Sequence, residues 1–336
     1  MIKKIIFRAD GNSTIGLGHL YRLFSLAEII KHEFDFVFLV KNSSTTSVIP
    51  KSYSTVIIPN AIQVEEEPEW IASHFSPKKY NIVIDGYQFL APYQKLLKQR
   101  GYGLIYIDDL AKVHMHADVV INHSPYVKKE QYTKEKYTQL ALGTNYALVR
   151  PLFLEAAKKK REIDKIDNAF VCFGGADPFN LTMKTAQAFL KIPRFKKVHI
   201  VLGGSYRNRD IFDLRQMHDD KIKVYKNLSE QHLLDTMQKC NFAIAPASTI
   251  LYELCCIKMP ILGGFYIENQ ELIYKGLVNK AAIYKGENMK NYQVSDFEDN
   301  IRTILTNGNH SKQIKAQKEL FDEKIADRHL ELIRKL

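Results

Sequence analysis

One pattern, used twice, sets the architecture this chain can adopt. Ile5-Ile6-Phe7 is a short apolar run that gives way to a polar turn carrying Gly16 and Gly18, then to apolar residues at helical spacing: Leu20, Leu23, Phe24, Ala27 and Ile30. Far downstream, Ala169-Phe170-Val171-Cys172-Phe173 runs in the same way into Gly174-Gly175. A brief buried run followed by a 3.6-residue period is a strand feeding a helix. Glycines in the turn let the backbone approach a ligand or a neighbouring segment closely. Strands that alternate with helices imply parallel sheets with right-handed crossovers.

The rest of the chain fits the pattern. Strands are expected at 34–40, 55–58, 81–87, 104–109 and 119–121, with a polar loop at 42–47 and helices at 65–75 and 91–100. At 150–166 the composition turns polar and highly charged, which reads as an inter-domain connection. Beyond it come strands at 198–204, 224–225, 242–246 and 261–262, the last ending at Gly263-Gly264, and helices at 230–239 and 249–257. The tail at 309–336 is charged and helical. The expected fold is α/β: two doubly wound, Rossmann-like domains, 1–157 and 165–315, facing each other across a cleft.

Composition narrows the partners. The 336 residues are 46% hydrophobic and carry a formal net charge of +11. A basic balance suits nucleic acid, an anionic membrane or a small anionic substrate. The basic residues are dispersed, with one dense cluster at Lys158-Lys159-Lys160-Arg161 and no nucleic-acid-binding module beside it, so no nucleic acid is expected. No run of about 18 apolar residues occurs, and no membrane span is expected. The four cysteines show no metal-type or C-x-x-C spacing, which fits buried thiols in a cytoplasmic protein.

The first turn concentrates polar chemistry at the C-terminal edge of a strand, where open α/β sheets bind ligands. Arg8, Asp10, Asn12, Ser13, Gly16, Gly18, His19 and Arg22 all fall there, and Tyr87 closes the strand at 81–87. It is not a dinucleotide fingerprint, because Tyr21 stands where a third glycine is needed, and no Gly-Lys-Ser/Thr follows to make a P-loop. His19 opens the helix, where a neutral imidazole is favoured over a cation. It is the expected catalytic base. A steric turn with a capping histidine is the alternative.

The second half supplies anion-binding candidates. Ser248 and Thr249 follow a strand and open a helix, a phosphate-sized cradle of hydroxyls and amides that an ordinary N-cap also explains. Glu253 stands four residues after Thr249, too far for a capping box and on the same helix face, where a carboxylate suits the two hydroxyls of a ribose. Gly174 and Gly175 allow close approach to a diphosphate. Asp177-Pro178 suits the same site or a plain N-cap and N1 start, and both readings stay open. Asn269 and Gln270 place two amides near that edge. No metal is expected: Asp108 and Asp109 are adjacent and point apart in an extended segment, and His114-x-His116 lacks evident further ligands. No Gly-x-Ser-x-Gly elbow is present.

Together these motifs resemble a known family. The segments Arg8-Ala9-Asp10-Gly11-Asn12-Ser13, Gly16-Leu17-Gly18-His19 with Arg22, Tyr146-Ala147-Leu148-Val149-Arg150-Pro151, Phe173-Gly174-Gly175-Ala176-Asp177-Pro178, Ser248-Thr249 with Glu253, and Asn269-Gln270 are similar to those of the UDP-2,4-diacetamido-2,4,6-trideoxy-β-L-altropyranose hydrolases of pseudaminic acid biosynthesis. That family is itself similar to glycosyltransferases of the GT-B fold. The resemblance implies a GT-B-like chain whose helix at 316–336 returns to the first domain. It implies a UDP-sugar substrate, no cofactor, no metal and a monomer. UDP would lie with Gly174, Gly175, Asp177, Ser248, Thr249, Glu253 and Gln270 of the second domain. The sugar would meet Arg8, Asp10, Asn12, Gly16, Gly18, Arg22 and Tyr87, with His19 activating water and Asn269 positioning the sugar. A glycosyltransferase with the same UDP site, or a non-catalytic nucleotide-sugar binder, are the rival readings.

Overall fold

The computed structural model describes residues 2–12 and 14–336; Ser13 of the first turn lies outside the described residues. The chain forms two compact units, Met1–Pro151 with Lys324–Leu336, and Leu152–Glu323.

The first unit is built on seven parallel strands: β1 (Lys4–Ala9), β2 (Phe36–Lys41), β3 (Thr55–Ile58), β4 (Tyr80–Asp85), β5 (Leu104–Ile107), β6 (Val119–Asn122) and β7 (Gln139–Leu142), ordered β3-β2-β1-β4-β5-β6-β7. Its crossover helices are α1 (Gly18–Ile30), α2 (Glu67–His74) and α3 (Ala91–Gln99). The central strands are covered on both faces, so they read as continuous apolar runs. Ile5, Ile6 and Phe7 of β1 and Ile82, Val83 and Ile84 of β4 are all fully buried. Ile6 pairs with Val37 and Ile82 and lies in the layer beneath Phe89, Tyr93 and Leu97. Phe7 stacks on Phe38, whose ring also stacks on Tyr53.

The second unit opens with α4 (Pro151–Lys158) and alternates β8 (Asn168–Val171), α5 (Leu181–Leu190), β9 (Lys197–Leu202), α6 (Asp210–Met217), β10 (Ile222–Lys226), α7 (Glu230–Gln238), β11 (Phe242–Pro246), α8 (Thr249–Ile257), β12 (Ile261–Phe265), α9 (Glu268–Asn279) and β13 (Tyr284–Asn288). Its parallel sheet is ordered β10-β9-β8-β11-β12-β13. Helices α10 (Val294–Asn307) and α11 (His310–Leu320) finish it, packed on α5 and α8. The last helix, α12 (Ile325–Arg334), belongs to the first unit, where Ile325, His329, Leu332 and Ile333 bury one face and the helix packs on α1.

Several boundaries differ from the sequence reading. The chain divides at 151/152, ahead of the charged stretch, because that stretch is tied into the second unit. Arg161 donates to the carbonyls of Gln238 and Cys240, and the buried Lys258 ammonium donates to those of Ala157 and Lys159. The sequence reading omits strands β7 and β13, both sheet edges: β13 is polar, and β7 carries only the three apolar residues Leu140-Ala141-Leu142. Gly263 and Gly264 are strand residues of β12 rather than a turn. A Cβ on either would lie 2.7 Å from Ile283 or Met289, so glycine there admits the neighbouring segment.

Candidate active site

In both sheets the strand order reverses, between β1 and β4 and between β8 and β11. The loops leaving such a pair splay apart beyond the strands' carboxyl ends and leave a crevice for ligand. His19, Arg22 and Tyr87 stand at the first of these, and the Gly174-Gly175 turn and the start of α8 at the second, while Asn269 and Gln270 follow β12.

In the first unit, the crevice holds a network of charged groups. His19, at the second position of α1, directs Nδ1 at Asp85 Oδ1 (2.7 Å), the last residue of β4. Arg22, one turn further along α1, donates from Nε to Asp85 Oδ2 (2.9 Å), from Nη2 to Asp85 Oδ1 (2.7 Å), and from Nη1 to Asp109 Oδ1 (2.5 Å). Tyr87, just after β4, donates its hydroxyl to Asp109 Oδ2 (3.0 Å) and sets its ring edge-on to His19 at 4.8 Å. Arg22 Nη2 also lies 2.9 Å from His19 Nδ1. One nitrogen cannot both donate to Asp85 and accept from Arg22. The carboxylate is the shorter contact and Arg22 already has acceptors, so the imidazole proton is assigned to Nδ1. Nε2 then carries the lone pair. Asp85 is fully buried. Burial pushes the Asp109 carboxyl up, but the Arg22 guanidinium outweighs it and holds the group at about 2. Behind them, burial and the charge of Arg22 push buried His123 down to about 4, so it is neutral at pH 7.

Other residues of the first turn serve the architecture. Arg8 is 1% exposed and grips fully buried Glu67 with Nε and Nη2 (2.8 and 2.9 Å) while Nη2 also reaches Asp10 (2.7 Å). Burial alone would lower its guanidinium, and these carboxylates more than reverse that. Asp10 Oδ1 accepts from the Lys41 amide (2.7 Å) and the Ser44 hydroxyl (2.8 Å), tying the ends of β1 and β2 together. Asn12 Oδ1 accepts from the amides of Thr14 and Ile15, and its backbone pairs with Gly16, whose φ of +81° suits glycine. Nothing lies within 4 Å of where a Cβ would stand on Gly16 or Gly18. There is room beside both glycines, while His19, which they precede, is 7% exposed.

In the second unit, the turns after β8, β9, β11 and β12 share one sheet edge. Gly174 adopts φ +77°. Gly203, after β9, comes so near that a Cβ on it would lie 2.3 Å from the Gly174 carbonyl oxygen. Asp177 folds its carboxylate onto the amides of Leu181 (2.9 Å) and Thr182 (2.7 Å), so it caps α5 from four and five residues away. Its role is a cap, though not the Asp-Pro N-cap and N1 start considered above. Ser248 is the N-cap of α8, and its own side chain makes no cap hydrogen bond. Ser248 and Thr249 are half-buried and Glu253 is 2% exposed. Gln270 turns its Oε1 back to the Tyr266 amide (3.0 Å), and Tyr266 donates its hydroxyl to the Phe173 carbonyl (2.9 Å). Asn269 is exposed in the first turn of α9. The α5 start is occupied by its own aspartate, whereas Ser248 does not close the α8 start, and a helix start of that kind suits an anion.

No protein-family model matches the chain. Solved structures superpose on nearly all of it: MurG of Acinetobacter baumannii with a TM-score of 0.68, over 99% of this chain and 100% of that one at 12% identity. Spinosyn rhamnosyltransferase SpnG, solved with thymidine diphosphate, superposes with a TM-score of 0.65, over 98% and 100% at 11% identity. The chain has the GT-B fold. Among curated proteins this GT-B chain is similar to UDP-2,4-diacetamido-2,4,6-trideoxy-β-L-altropyranose hydrolase of Campylobacter jejuni, 28% identical over 287 residues, 82% of this chain and 97% of that one. It is also similar to spore coat polysaccharide biosynthesis protein SpsG of Bacillus subtilis, 23% identical over 282 residues, 82% and 80% of the two chains.

Three carboxylates of the first unit, Asp85, Asp109 and Glu67, were not singled out as site residues by sequence. Asp85 carried a usable signal: a lone charge ending the apolar strand Asn81-Ile82-Val83-Ile84 needs a buried partner. His114 and His116 do have a third neighbour, Glu135, contrary to the sequence reading.

Proposed function

We propose that this protein hydrolyses a UDP-linked 2,4-diacetamido-2,4,6-trideoxyhexose without a metal, releasing UDP and the free sugar with inversion. The observation that carries the reading is the His19–Asp85 pair, which fixes Nδ1 as donor and leaves Nε2 as proton acceptor. Similarity to the Campylobacter jejuni hydrolase supplies the substrate class. Water bonds to the anomeric carbon as the bond from that carbon to the diphosphate oxygen breaks. His19 Nε2 takes the water proton, and the bonding pair leaves with UDP. Asp85 then faces an imidazolium, and a positioned base of this kind contributes about 10²–10⁴-fold. The sugar is assigned to the first unit, with Tyr87 as a contact. UDP is assigned to the α8 start with Ser248, Thr249 and Glu253 and to the Gly174-Gly175 turn. Amides and hydroxyls stabilise the leaving diphosphate there. The net charge of +11 favours such an anion.

A second reading is a glycosyltransferase, favoured by the solved structures the fold matches. Incubation with the UDP-sugar, followed by phosphorus NMR for UDP and proton NMR for the anomer first formed, separates the two. Release without acceptor, abolished in His19→Ala, supports hydrolysis. Release that requires an acceptor makes the protein a transferase. Undiminished release by His19→Ala refutes the assigned base.

A further inference from the structure

At the opposite edge of the first sheet stands a second group of side chains built like a ligand set. Met115, in the loop between β5 and β6, forms a bridge with Lys134: its amide donates to the Thr133 carbonyl (2.9 Å) and its carbonyl accepts from the Glu135 amide (3.1 Å). Extended backbone sends successive side chains to opposite faces. Met115 is fully buried, so His114 and His116 emerge together on the other face, beside Glu135 of the adjoining segment. His114 Nε2 and His116 Nδ1 lie 2.9 and 3.1 Å from Glu135 Oε1, and all three ligand atoms fall within 4.8 Å of one another. The frame is fixed from behind. The His116 amide donates to Oε1 of fully buried Gln94 (3.0 Å), and its carbonyl accepts from the Tyr137 hydroxyl (3.0 Å).

We propose that His114, His116 and Glu135 bind a divalent transition cation of the zinc class. Two imidazoles and a carboxylate are a borderline-hard donor set suited to that class, and in tetrahedral geometry, with metal–ligand bonds of about 2.0–2.2 Å, ligand atoms sit about 3.3 Å apart. The observed spacing needs only small side-chain adjustments to reach this. The fourth position falls to water, since His116 and Glu135 also line a cavity of ≈ 480 Å³. Two lysines border that cavity. Lys98 is paired with Asp118 at 2.6 Å, and Lys95 is exposed, where solvent and salt screen its charge. The site lies before the start of β6, away from the carboxyl ends where His19 and Asp85 meet, so it acts as a clamp between two loops rather than as part of the chemistry above.

The test is direct titration of the metal-stripped full-length protein with Zn²⁺ alone by calorimetry, with thermal melting and the visible spectrum of the Co²⁺ form alongside. The expected result is one equivalent bound, a raised melting midpoint, and affinity at least about tenfold weaker in both Glu135→Gln and the double variant His114→Ala/His116→Ala. Glu135→Gln preserves shape, so it separates lost ligation from failed folding. The proposal is overturned if wild type takes up no stoichiometric Zn²⁺, if these variants bind as tightly as wild type, or if the Co²⁺ form shows a thiolate charge-transfer band.

Discussion

Replacing Asp85 by Asn tests the proposed base through the residue that orients it. Both Asp85 oxygens accept hydrogen bonds, Oδ1 from His19 and Arg22 Nη2, Oδ2 from Arg22 Nε. An amide can satisfy at most one of these positions as acceptor; its NH₂ must face a donor, either Arg22 or the Nδ1 proton. The side chain also loses the charge that stabilises the imidazolium. For unit charges about 4 Å apart in an effective dielectric near 20, that interaction is about 4 kcal/mol. With the proton half transferred, about 2 kcal/mol is lost from the transition state, roughly thirtyfold in rate. Loss of tautomer control adds to it, so kcat for UDP release should fall about 10²–10³-fold, within the range a positioned base contributes. Affinity for UDP itself, measured by calorimetry, should be unchanged because its assigned residues lie in the other unit. A variant that keeps both its fold and wild-type kcat would refute the reasoning. One that loses UDP affinity in parallel would show that Asp85 acts on the structure at large.

Other perturbations have equally definite outcomes. Arg8→Met leaves buried Glu67 with only Lys41 (3.1 Å) and Tyr93 (3.1 Å) and should cost about 1–3 kcal/mol in denaturant unfolding, while the folded protein keeps its kcat; a fall in kcat or a rise in KM would instead place Arg8 against the sugar. Gly203→Ala drives a Cβ into the Gly174 carbonyl and should weaken both stability and UDP binding, whereas Gly204→Ala, whose nearest neighbour is 3.9 Å away, should be silent in melting and calorimetry. His123 and His329 are buried with folded-state values near 4, below the ordinary 6.5. The unfolded chain therefore binds more protons, and stability present above pH 6.5 is lost as pH falls towards 4, by roughly 3 kcal/mol for each histidine. Urea midpoints across that range should show the slope, and His329→Gln should reduce it.

What the sequence made legible follows from how far each interaction reaches along the chain. The two sheets were readable because β1, β4, β8 and β11 lie at their centres and each carries a buried apolar run. At the edges, β13 is polar and β7 carries only Leu140-Ala141-Leu142, too short a run to stand out. The first turn was located by its density of polar residues, but their division of labour was not. Arg8 and Glu67 are 59 residues apart, and Arg22 and Asp85 are 63 apart, so no local pattern shows which arginine is buried in the frame and which stands at the crevice. Asn12 was more accessible to reasoning, since an asparagine two residues before a turn amide commonly closes an Asx turn. Asp177 eluded the capping rules because its left-handed backbone, φ +46°, carries its carboxylate past the usual reach to α5.

The return of α12 to the first unit also sets an order of events during synthesis. The stretch Leu152–Glu323 contains every strand and helix of the second sheet and can close as soon as it has left the ribosome. The first unit emerges earlier but lacks the face of Ile325, His329, Leu332 and Ile333 that covers α1. Until α12 has been translated, the part of α1 that it covers lacks that cover. The half that carries His19 is thus the first to be made and the last to be finished, which exposes it to chaperones and proteases for the whole interval in which the other half is being built.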